Sequence, residues 1–328
     1  MKFKALRVYL EPTLKTEIET VDETLLPDYE VLIEVHYSSL NYKDALSASG
    51  NKGVSRNYPH TPGIDVAGIV KESQSDRWHP GDRVIVTGYD LGMNTFGGFS
   101  EYVRVPGNWI VACPEALSLR EAMCYGTAGF TAALSVEKIV SNVVPEAGEV
   151  LVTGATGGVG TVAVAILSKL GYNVVAATGK ATSIAFLQSI GAKSVITRDE
   201  IDDQTGKAML KSRWAGVIDT AGGNILSTAI KTTQYQGHIT CCGNVSSHEF
   251  SSSVYPFILK GVTLHGIDSV ACPSEQRLKI WNLLSDEWSI PGLYHAVHEV
   301  SLEEVPEQLD LMLKGKHIGR TIVSLKKG

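Results

Sequence analysis

The stretch Glu149–Gly171, EVLVTGATGGVGTVAVAILSKLG, has the order strand, glycine-rich turn, helix. Its apolar residues Val150 to Val152 predict a short strand buried on both faces. The apolar residues after the glycines recur at helical spacing, and Gly171 stands where a helix ends. A pyrophosphate can approach a helix N-terminus only where no Cβ blocks it, and the N–H groups and helix dipole then bind the anion. The stretch therefore predicts a dinucleotide-binding turn.

The turn departs from the strict G-x-G-x-x-G pattern, because it reads Ala155-x-Gly157-x-x-Gly160. Alone, this match is also compatible with a turn that only packs a helix on a strand. Asn173–Thr178 and Ser194–Thr197 then predict two further strands, with helical residues between them. Such alternation is typical of a parallel doubly wound sheet and favours the cofactor interpretation. The turn residues expected to contact the cofactor are Thr156, Gly157, Gly158, Val159 and Gly160.

Composition limits the classes of protein to consider. The chain of 328 residues is long enough for two domains, and its net charge of −6 gives no footprint for nucleic acid or an anionic membrane. No apolar run approaches the roughly 18 residues of a membrane span, and the N-terminal residues lack a signal-peptide core. The five cysteines show no paired framework. We therefore expect a cytoplasmic enzyme-like protein with a small-molecule substrate and neither nucleic acid nor membrane as partner.

Three segments of the chain differ in pattern. Residues 1–121 are mostly strands punctuated by glycine and proline, which predicts a barrel-like β domain. Residues 122–269 contain six candidate strands, the number in a full dinucleotide-binding sheet. We expect residues 270–328 to return to the first domain and complete it, leaving a cofactor cleft between the two domains. Tyr89–Gly98 is a predicted long loop, and long loops on rigid scaffolds often carry function.

Several motifs occur in a characteristic order along the chain. Together with the glycine turn, they resemble the medium-chain dehydrogenase/reductase superfamily. Within it, they are similar to the zinc-independent quinone oxidoreductase-like group, which includes NADPH-dependent acryloyl-CoA reductases. The motifs before the turn are Asn41-Tyr42-Lys43-Asp44, Pro62-Gly63-Ile64-Asp65-Val66-Ala67-Gly68, Gly81-Asp82-Arg83-Val84 and Gly97-Gly98-Phe99-Ser100-Glu101-Tyr102.

The resemblance implies a fold and an activity. The fold is α/β, with a Rossmann dinucleotide-binding domain and a GroES-like β-barrel catalytic domain, and the common state is a homodimer. The activity is NADPH-dependent transfer of a hydride to the activated double bond of a small α,β-unsaturated acyl-CoA such as acryloyl-CoA. A quinone reductase would use the same cofactor and fold, and a non-catalytic NADPH-binding protein is the alternative from another class.

The resemblance also predicts that no metal is bound. Zinc-dependent relatives place a cysteine where Asn41 stands and His-Glu where Ile64-Asp65 stand, so neither position here offers the thiolate or imidazole that zinc prefers. A run of four close cysteines is missing as well. Cys241 and Cys242 are adjacent on a predicted strand and cannot both face one metal ion.

The expected cofactor is NADPH. Enzymes that bind the ribose 2′-hydroxyl of NAD usually have an acidic residue about twenty positions after the glycine turn. Here that place holds Thr178-Gly179-Lys180, and Arg198 follows the next predicted strand. Both cations are suited to pair with a 2′-phosphate, although each is also compatible with an ordinary surface position. The resemblance adds four further cofactor-lining residues, Asn244, Ile258, Ser269 and Arg320.

The proposed chemistry without a metal centres on one turn of the catalytic domain. Hydride attack on an activated alkene leaves an enolate oxygen that needs hydrogen-bond donors and an α-carbon that needs a proton. The resemblance implies catalytic positions for Tyr42, Asn41 and Asp44, with Tyr42 as donor and Asn41 orienting the substrate or the ribose. Lys43 or Asp44 can instead hold the turn by local pairing. Acyl-CoA, enone and quinone substrates stay open, and coenzyme A contacts would lie in loops such as Tyr89–Gly98.

Overall fold

The computed structural model describes residues 1–325. The chain divides into two compact units, the first made of residues 1–127, 270–285 and 294 onwards, the second of residues 128–269 and 286–293. We predicted the first boundary between 121 and 122, and expected all of 270–328 in the first domain. The first unit extends further because Asp65 binds the backbone N–H of Thr127. Residues 286–293 belong to the second unit, where Lys169 Nζ donates to the Ser289 carbonyl at 2.7 Å.

The strands fall into two groups along the chain. The first seven and the last two belong to the first unit, and the other six belong to the second. In chain order the strands of residues 1–325 are β1 (Lys2–Tyr9), β2 (Lys15–Asp22), β3 (Val31–Ser39), β4 (Asp65–Ser73), β5 (Arg83–Thr87), β6 (Tyr102–Val105), β7 (Ile110–Ala112), β8 (Glu149–Val152), β9 (Asn173–Thr178), β10 (Ser194–Thr197), β11 (Trp214–Asp219), β12 (Thr233–Cys241), β13 (Thr263–Gly266), β14 (His298–Ser301) and β15 (Thr321–Ser324).

The helices are short, apart from the one that contains the boundary between the units. In that helix Gly126 has non-helical backbone angles, so two helical segments meet at a kink. In chain order the α-helices of residues 1–325 are α1 (Tyr42–Ala48), α2 (Leu119–Val140), α3 (Gly158–Lys169), α4 (Ile184–Ser189), α5 (Gly223–Thr232), α6 (Tyr255–Lys260), α7 (Ser274–Ser285), α8 (Pro291–Tyr294) and α9 (Val305–Leu313).

The first unit is built on a bent, mostly antiparallel sheet. Its order is β14-β15-β3-β4-β5-β7, β6 also pairs with β3, and β1 and β2 form a separate antiparallel ladder. Alternate side chains of these strands point inward, and Val31, Ile33, Val84 and Phe99 are among the fully buried residues of its core. The predicted barrel-like β domain is confirmed.

The second unit is a six-stranded parallel sheet in the order β10-β9-β8-β11-β12-β13. Numbered from its own first strand, this order is 3-2-1-4-5-6, which is the doubly wound dinucleotide-binding topology. The strands are apolar because helices cover both faces, and Leu151, Val175, Val217 and Ile239 are nearly inaccessible. The Rossmann prediction is confirmed, and the carboxyl ends of the strands define the edge at which the glycine turn lies.

The predicted loop Tyr89–Gly98 connects β5 to β6 and is packed rather than free. Leu91 is fully buried in the core of the first unit. Tyr89 has a φ of +52°, a strained value for a bulky side chain, and its ring stacks on Trp109 with centroids 5.4 Å apart. The loop is therefore a fixed part of the first unit. Among the residues that the structure describes, no helix is long and apolar enough to cross a membrane.

Two histidines face each other on neighbouring strands of the parallel sheet, the edge strand β13 and its neighbour β12. His238 Nδ1 on β12 lies 2.9 Å from His265 Nε2 on β13, and the near-parallel rings have centroids 5.2 Å apart. These distances mean that the rings meet end to end, so one N–H donates to the other ring's lone pair. Burial lowers the pKa of His238, and burial followed by the charges of His238 and Lys138 lowers that of His265.

We predict that this pair makes folding stability decrease in mild acid. Because both pKa values are lower in the folded chain, the unfolded chain binds protons first as the pH falls below about 6.5, and stability present above that pH is lost. The stability difference between wild type and His265→Asn should shrink as the pH falls from about 7.5 to about 5.5. Thermal melts measure it, and the exposed His295→Asn is the control. A difference that stays constant with pH would contradict the prediction.

Candidate active site

The glycine turn of the second unit joins β8 to α3. Gly154 has a φ of +57°, a left-handed conformation that favours glycine, and Thr220 Oγ1 occupies the place of a Cβ there. A Cβ on Gly160 would lie 2.5 Å from the Gly154 carbonyl oxygen and 2.7 Å from Ala155 Cα. Helix α3 can therefore pack this closely against the turn only because Gly160 has no side chain.

The end of this turn presents backbone N–H groups to solvent. Gly157 is the N-cap of α3 and is exposed, while Gly158 and Val159 are half-buried in the first turn. The Gly157 N–H donates to the Gly154 carbonyl at 2.9 Å, whereas the N–H groups of Gly158 and Val159 have no carbonyl one turn earlier in the helix. The helix dipole makes this end positive. Thr156 lies beneath these N–H groups, its hydroxyl oxygen 3.3 Å from that of Thr178. The five predicted turn residues are thus brought together in a form that fits a pyrophosphate.

The ends of β9 and β10 lie side by side and bring two cations together. Thr178 pairs in register with Thr197, so Lys180 and Arg198 both follow this pair. A Cβ on Gly179 would lie 2.9 Å from Arg198 Nη2, which shows that the guanidinium packs directly against the glycine. Burial lowers the pKa of Lys180. This arrangement fits a phosphate group next to the glycine turn.

Three further residues predicted to line the cofactor are in the second unit. Asn244 is exposed in the loop after β12, and Ser269 is half-buried after β13. Ile258, on α6, is 68% exposed, which is unusual for an isoleucine in a helix. Their contact with a cofactor stays a prediction.

In the first unit, Asn41, Tyr42 and Asp44 form the start of α1, with Asn41 as the N-cap. The Asp44 carboxylate is fully buried and accepts the N–H groups of Asn41 at 2.8 Å, Gly63 at 3.1 Å and Ile64 at 2.9 Å. Burial, with the nearby Asp65 charge, raises the pKa of Asp44 to about 7. Asp44 therefore fastens the Pro-Gly turn to the helix, which is the structural alternative left open by the sequence rather than a position that faces a substrate.

The Asn41 side chain is held by the protein itself. Its amide nitrogen donates to Asp65 Oδ2 at 2.7 Å and to the Ser39 carbonyl at 3.2 Å, so both amide hydrogens are engaged. The residue is 8% exposed. Asn41 therefore uses both amide N–H groups within the first unit, and its orientation of a substrate or ribose stays a prediction.

Arg320 lies directly before β15 and is 3% exposed. The cofactor contact that the resemblance implies for it stays a prediction. Its guanidinium donates to the carbonyls of Leu40, Cys124 and Met123, to Ser39 Oγ and to Asn41 Oδ1. A guanidinium has five N–H donors, and these five acceptors use all of them. Burial lowers the pKa of Arg320, and the Asp65 charge opposes this shift. We therefore assign Arg320 to the buried framework of the first unit.

Tyr42 is the predicted catalytic residue that remains accessible. It begins α1 directly after the buried Asn41 and is 39% exposed. A phenol both donates and accepts hydrogen bonds, and it is the type of group that can stabilise a developing enolate oxygen. Tyr42 is thus exposed on a turn whose polar side chains Asn41 and Asp44 hydrogen-bond within the protein.

Comparison with known proteins identifies relatives along nearly the whole chain. The Bacillus subtilis (strain 168) protein named quinone oxidoreductase YhfP is 46% identical over 314 residues, which are 95% of each chain. This chain belongs to the medium-chain dehydrogenase/reductase superfamily. It is an oxidoreductase, and the resemblance drawn from its motifs is confirmed. Acrylyl-CoA reductase AcuI of Ruegeria pomeroyi is 39% identical over 94% of both chains.

Family models and solved structures agree with this membership. Residues 27–115 match the alcohol dehydrogenase GroES-like domain, and residues 158–286 match the zinc-binding dehydrogenase domain. The yhdH oxidoreductase of Salmonella enterica, solved in complex with NADP, superposes with a TM-score of 0.96 at 39% identity and covers 98% of this chain and 100% of its own. The yhfP protein of Bacillus subtilis, solved with NAD bound, gives 0.95 at 45% identity, covering 99% and 100%.

The name of the second matched domain refers to zinc, but the residues present do not fit a zinc site. Zinc takes thiolate, imidazole or carboxylate ligands in a tetrahedral arrangement. Here Asn41 offers an amide, and the Asp65 carboxylate already accepts four hydrogen bonds from protein donors. Among residues 1–325, no group of three or more His, Cys, Asp or Glu side chains is placed to hold a metal ion. We therefore derive no step through zinc for this member of the superfamily.

Sequence reasoning missed three residues of the first unit that the structure brings to the site, namely Ser39, Gly126 and Thr127. Ser39 and Thr127 donate to Asp65, each at 2.5 Å, and Gly126 forms the kink beside them. A sequence signal existed for Ser39, because Ser38-Ser39 places two adjacent small polar residues at the end of a predicted strand. A second lay in Gly126-Thr127, a glycine and a polar residue within an apolar helix.

Proposed function

We propose that this oxidoreductase is a zinc-independent, NADPH-dependent reductase of a small α,β-unsaturated acyl-CoA such as acryloyl-CoA. The observation that carries the proposal is the exposed Tyr42, on a turn where Asn41 and Asp44 already hydrogen-bond within the protein. Similarity to the acrylyl-CoA reductase of Ruegeria pomeroyi supports the substrate class. The position of Lys180 and Arg198 next to the glycine turn supports the cofactor.

The reaction separates into a hydride transfer and a proton transfer. The chemistry that NADPH supplies when bound is a hydride for the β-carbon of the alkene. The electron pair of the double bond moves toward the thioester, and negative charge develops on its oxygen. Tyr42 donates a hydrogen bond to that oxygen, or its proton to the α-carbon, and so lowers the energy of the enolate. Hydride and proton together complete the saturated acyl-CoA.

Quinone reduction is a second candidate, favoured by the name of the Bacillus subtilis relative. A quinone also accepts a hydride and a proton, but its product is an aromatic hydroquinone. Because aromatisation already favours the hydride acceptor, a quinone depends less on a hydrogen-bond donor than a thioester does. The two substrates therefore differ in how strongly they should depend on Tyr42.

We predict that wild type reduces acryloyl-CoA and that Tyr42→Phe slows this reaction by about 10²-fold in kcat, because a positioned donor contributes about that much. Quinone reduction should slow far less. Exhaustive treatment with EDTA should leave both rates unchanged, because the residues do not fit zinc. The measurement is kcat and KM for acryloyl-CoA, crotonyl-CoA, a simple enone and a quinone.

Three outcomes would each contradict part of the proposal. If wild type reduces quinones but not acryloyl-CoA, the protein is a quinone reductase rather than an acyl-CoA reductase. Full acryloyl-CoA activity in Tyr42→Phe would keep the substrate but remove Tyr42 as donor. Stoichiometric zinc whose removal abolishes activity would overturn the zinc-independent mechanism.

The second unit would hold the cofactor in two places. The N–H groups of Gly158 and Val159 would bind the pyrophosphate, and the Lys180 and Arg198 side chains would pair with the ribose 2′-phosphate. Thr178 fixes this second place, because its hydroxyl accepts the Lys180 N–H at 3.0 Å. A carboxylate at this position would repel the phosphate, and the sequence Thr178-Gly179-Lys180 has none.

We predict that NADPH binds much more tightly than NADH. One charge-assisted hydrogen bond contributes about 1.5–3 kcal/mol, so Lys180→Ala and Arg198→Ala should each weaken NADPH about tenfold or more. Neither variant should change the affinity for NADH. Fluorescence titration of both cofactors measures this, and the control is Lys193→Ala, an exposed lysine at the opposite end of β10. Equal affinities of wild type for NADPH and NADH would end this assignment.

We also propose that the protein is a homodimer in a reducing, cytoplasmic compartment. Strand β13 is an outer strand of the sheet, and the nearby α6 exposes Ile258 and Leu259, at 68% and 60%. Open strand edges and exposed apolar side chains favour pairing with another copy. The cysteines of residues 1–325 form no disulfide, as expected in a reducing compartment.

We predict a dimeric mass in light scattering coupled to size-exclusion chromatography. Ile258→Lys together with Leu259→Lys should shift this mass toward the monomer, because the added charges must be desolvated on pairing. A wild-type monomer at micromolar concentration would contradict the dimer.

A further inference from the structure

The Asp65 carboxylate gathers donors from three separate segments of the first unit. Its Oδ2 accepts Ser39 Oγ–H at 2.5 Å, Asn41 Nδ2–H at 2.7 Å and the Thr127 N–H at 2.9 Å. Its Oδ1 accepts the Thr127 hydroxyl at 2.5 Å. All four partners donate, and Asp65 is fully buried, so the carboxylate is the hub of a closed hydrogen-bond network.

Arg320 balances this charge without touching it. Its Nη2 donates to Ser39 Oγ at 2.7 Å, and the same hydroxyl donates onward to Asp65. Its Nη1 lies 3.5 Å from Asn41 Oδ1, whose amide also donates to Asp65. Two short chains of hydrogen bonds therefore run from the guanidinium to the carboxylate. Each chain has one direction only, which fixes the orientation of the groups between them.

Gly126 makes room for this network. Its φ is +52°, and a Cβ there would lie 2.5 Å from Asp65 Oδ2 and 2.7 Å from Arg320 Nη2. The kink turns the following Thr127 N–H out of the helical hydrogen-bond pattern and toward Asp65. The corner of α2 and the start of α1 are thus tied to the same carboxylate.

The network leaves Tyr42 in a special position. The amide hydrogens of Asn41 and the hydroxyl hydrogen of Thr127 are directed to protein acceptors, so neither group is oriented to donate to a substrate. Tyr42 follows Asn41 directly and is 39% exposed. Whatever fixes Asn41 therefore fixes the backbone that carries the donor.

We propose that Asp65 is a positioning residue of this reductase, which holds Tyr42 in place through Asn41 and is itself oriented by Thr127. The proposal rests on the proposed function of Tyr42 as the donor. A purely stabilising role is a weaker explanation, because an apolar cluster of similar volume often stabilises a fold as well as a buried ionic group. What an ionic network adds is a single allowed arrangement of its members.

The test is a double-mutant cycle on kcat with Asp65→Asn, Tyr42→Phe and the double variant. If Asp65 acts through Tyr42, each single variant should lose about 10²-fold, and the double should lose less than about threefold more than the slower single. NADPH affinity should change less than about threefold, because no residue of the glycine turn is altered. Independent effects, with the double variant about 10⁴-fold slower, would overturn the proposal.

A milder pair of variants keeps the proposal testable if Asp65→Asn does not fold. Thr127→Val removes one donor to Asp65 and should reduce kcat about tenfold, and it should be non-additive with Tyr42→Phe. Thr127→Ser, which keeps the hydroxyl, should restore the rate. The control is Thr233→Val at the start of β12. It removes a buried hydroxyl that donates to the Ala229 carbonyl at 2.7 Å. It should lower the melting temperature and leave kcat unchanged. Equal kcat values for Thr127→Val and wild type would overturn the proposal.

The cycle is measured on each acceptor that wild type reduces. If acryloyl-CoA is not reduced but an enone or quinone is, the substrate assignment fails while the coupling between Asp65 and Tyr42 is still measured. If acryloyl-CoA is reduced and the coupling is absent, the substrate assignment stands and the positioning role of Asp65 fails.

Discussion

A carboxylate removed from water is tolerated only where protein donors replace its hydration. The buried Asp65 therefore constrains the segments of the first unit that supply its donors. The donors come from two distant parts of the chain, Ser39 and Asn41 between β3 and α1, and Thr127 at the kink of α2. Each must arrive at a fixed distance and in a fixed orientation. The position of α1, the kink at Gly126 and the burial of Arg320 all satisfy that one requirement. Asp44, with three backbone donors, repeats the principle on the adjacent turn.

The second unit depends on a different kind of constraint. Its proposed anion sites combine backbone N–H groups with the Lys180 and Arg198 side chains, and both sites need glycines that leave room for close approach. Gly160 lets α3 contact the turn, and Gly179 lets the Arg198 guanidinium lie against the main chain. The two cations stand beside each other because β9 and β10 pair in parallel register. The proposed 2′-phosphate site therefore depends on strand pairing, whereas the framework around Asp65 depends on buried polar contacts.

This difference explains what could be predicted from the sequence. The strands β9 and β10 and the glycine turn follow from local patterns, because a parallel sheet has apolar runs and its anion site lies within a few residues. The roles of Arg320 and Asn41 could not be inferred in this way. Whether Arg320 faces a cofactor or a carbonyl depends on partners such as Leu40, which are 280 positions away in the chain. The position of Lys180 near the glycine turn could be predicted, because Lys180 lies close to that turn in the sequence as well as in space.

The isolation of the Tyr42 hydroxyl has a consequence for chemoselectivity. Hydride addition to a carbonyl carbon places a full charge on one oxygen, and such an alkoxide needs strong stabilisation by a Lewis acid or a charged donor. Hydride addition to the far end of a conjugated alkene spreads the charge over carbon and oxygen, and a neutral phenol then suffices. In this protein the donors of Asn41, Thr127 and Arg320 hydrogen-bond within the first unit, and Tyr42 is the proposed donor to the substrate. Such a site suits conjugate addition. With Tyr42 in its proposed role, we expect a compound that carries both groups to be saturated at the carbon–carbon bond and to keep its carbonyl.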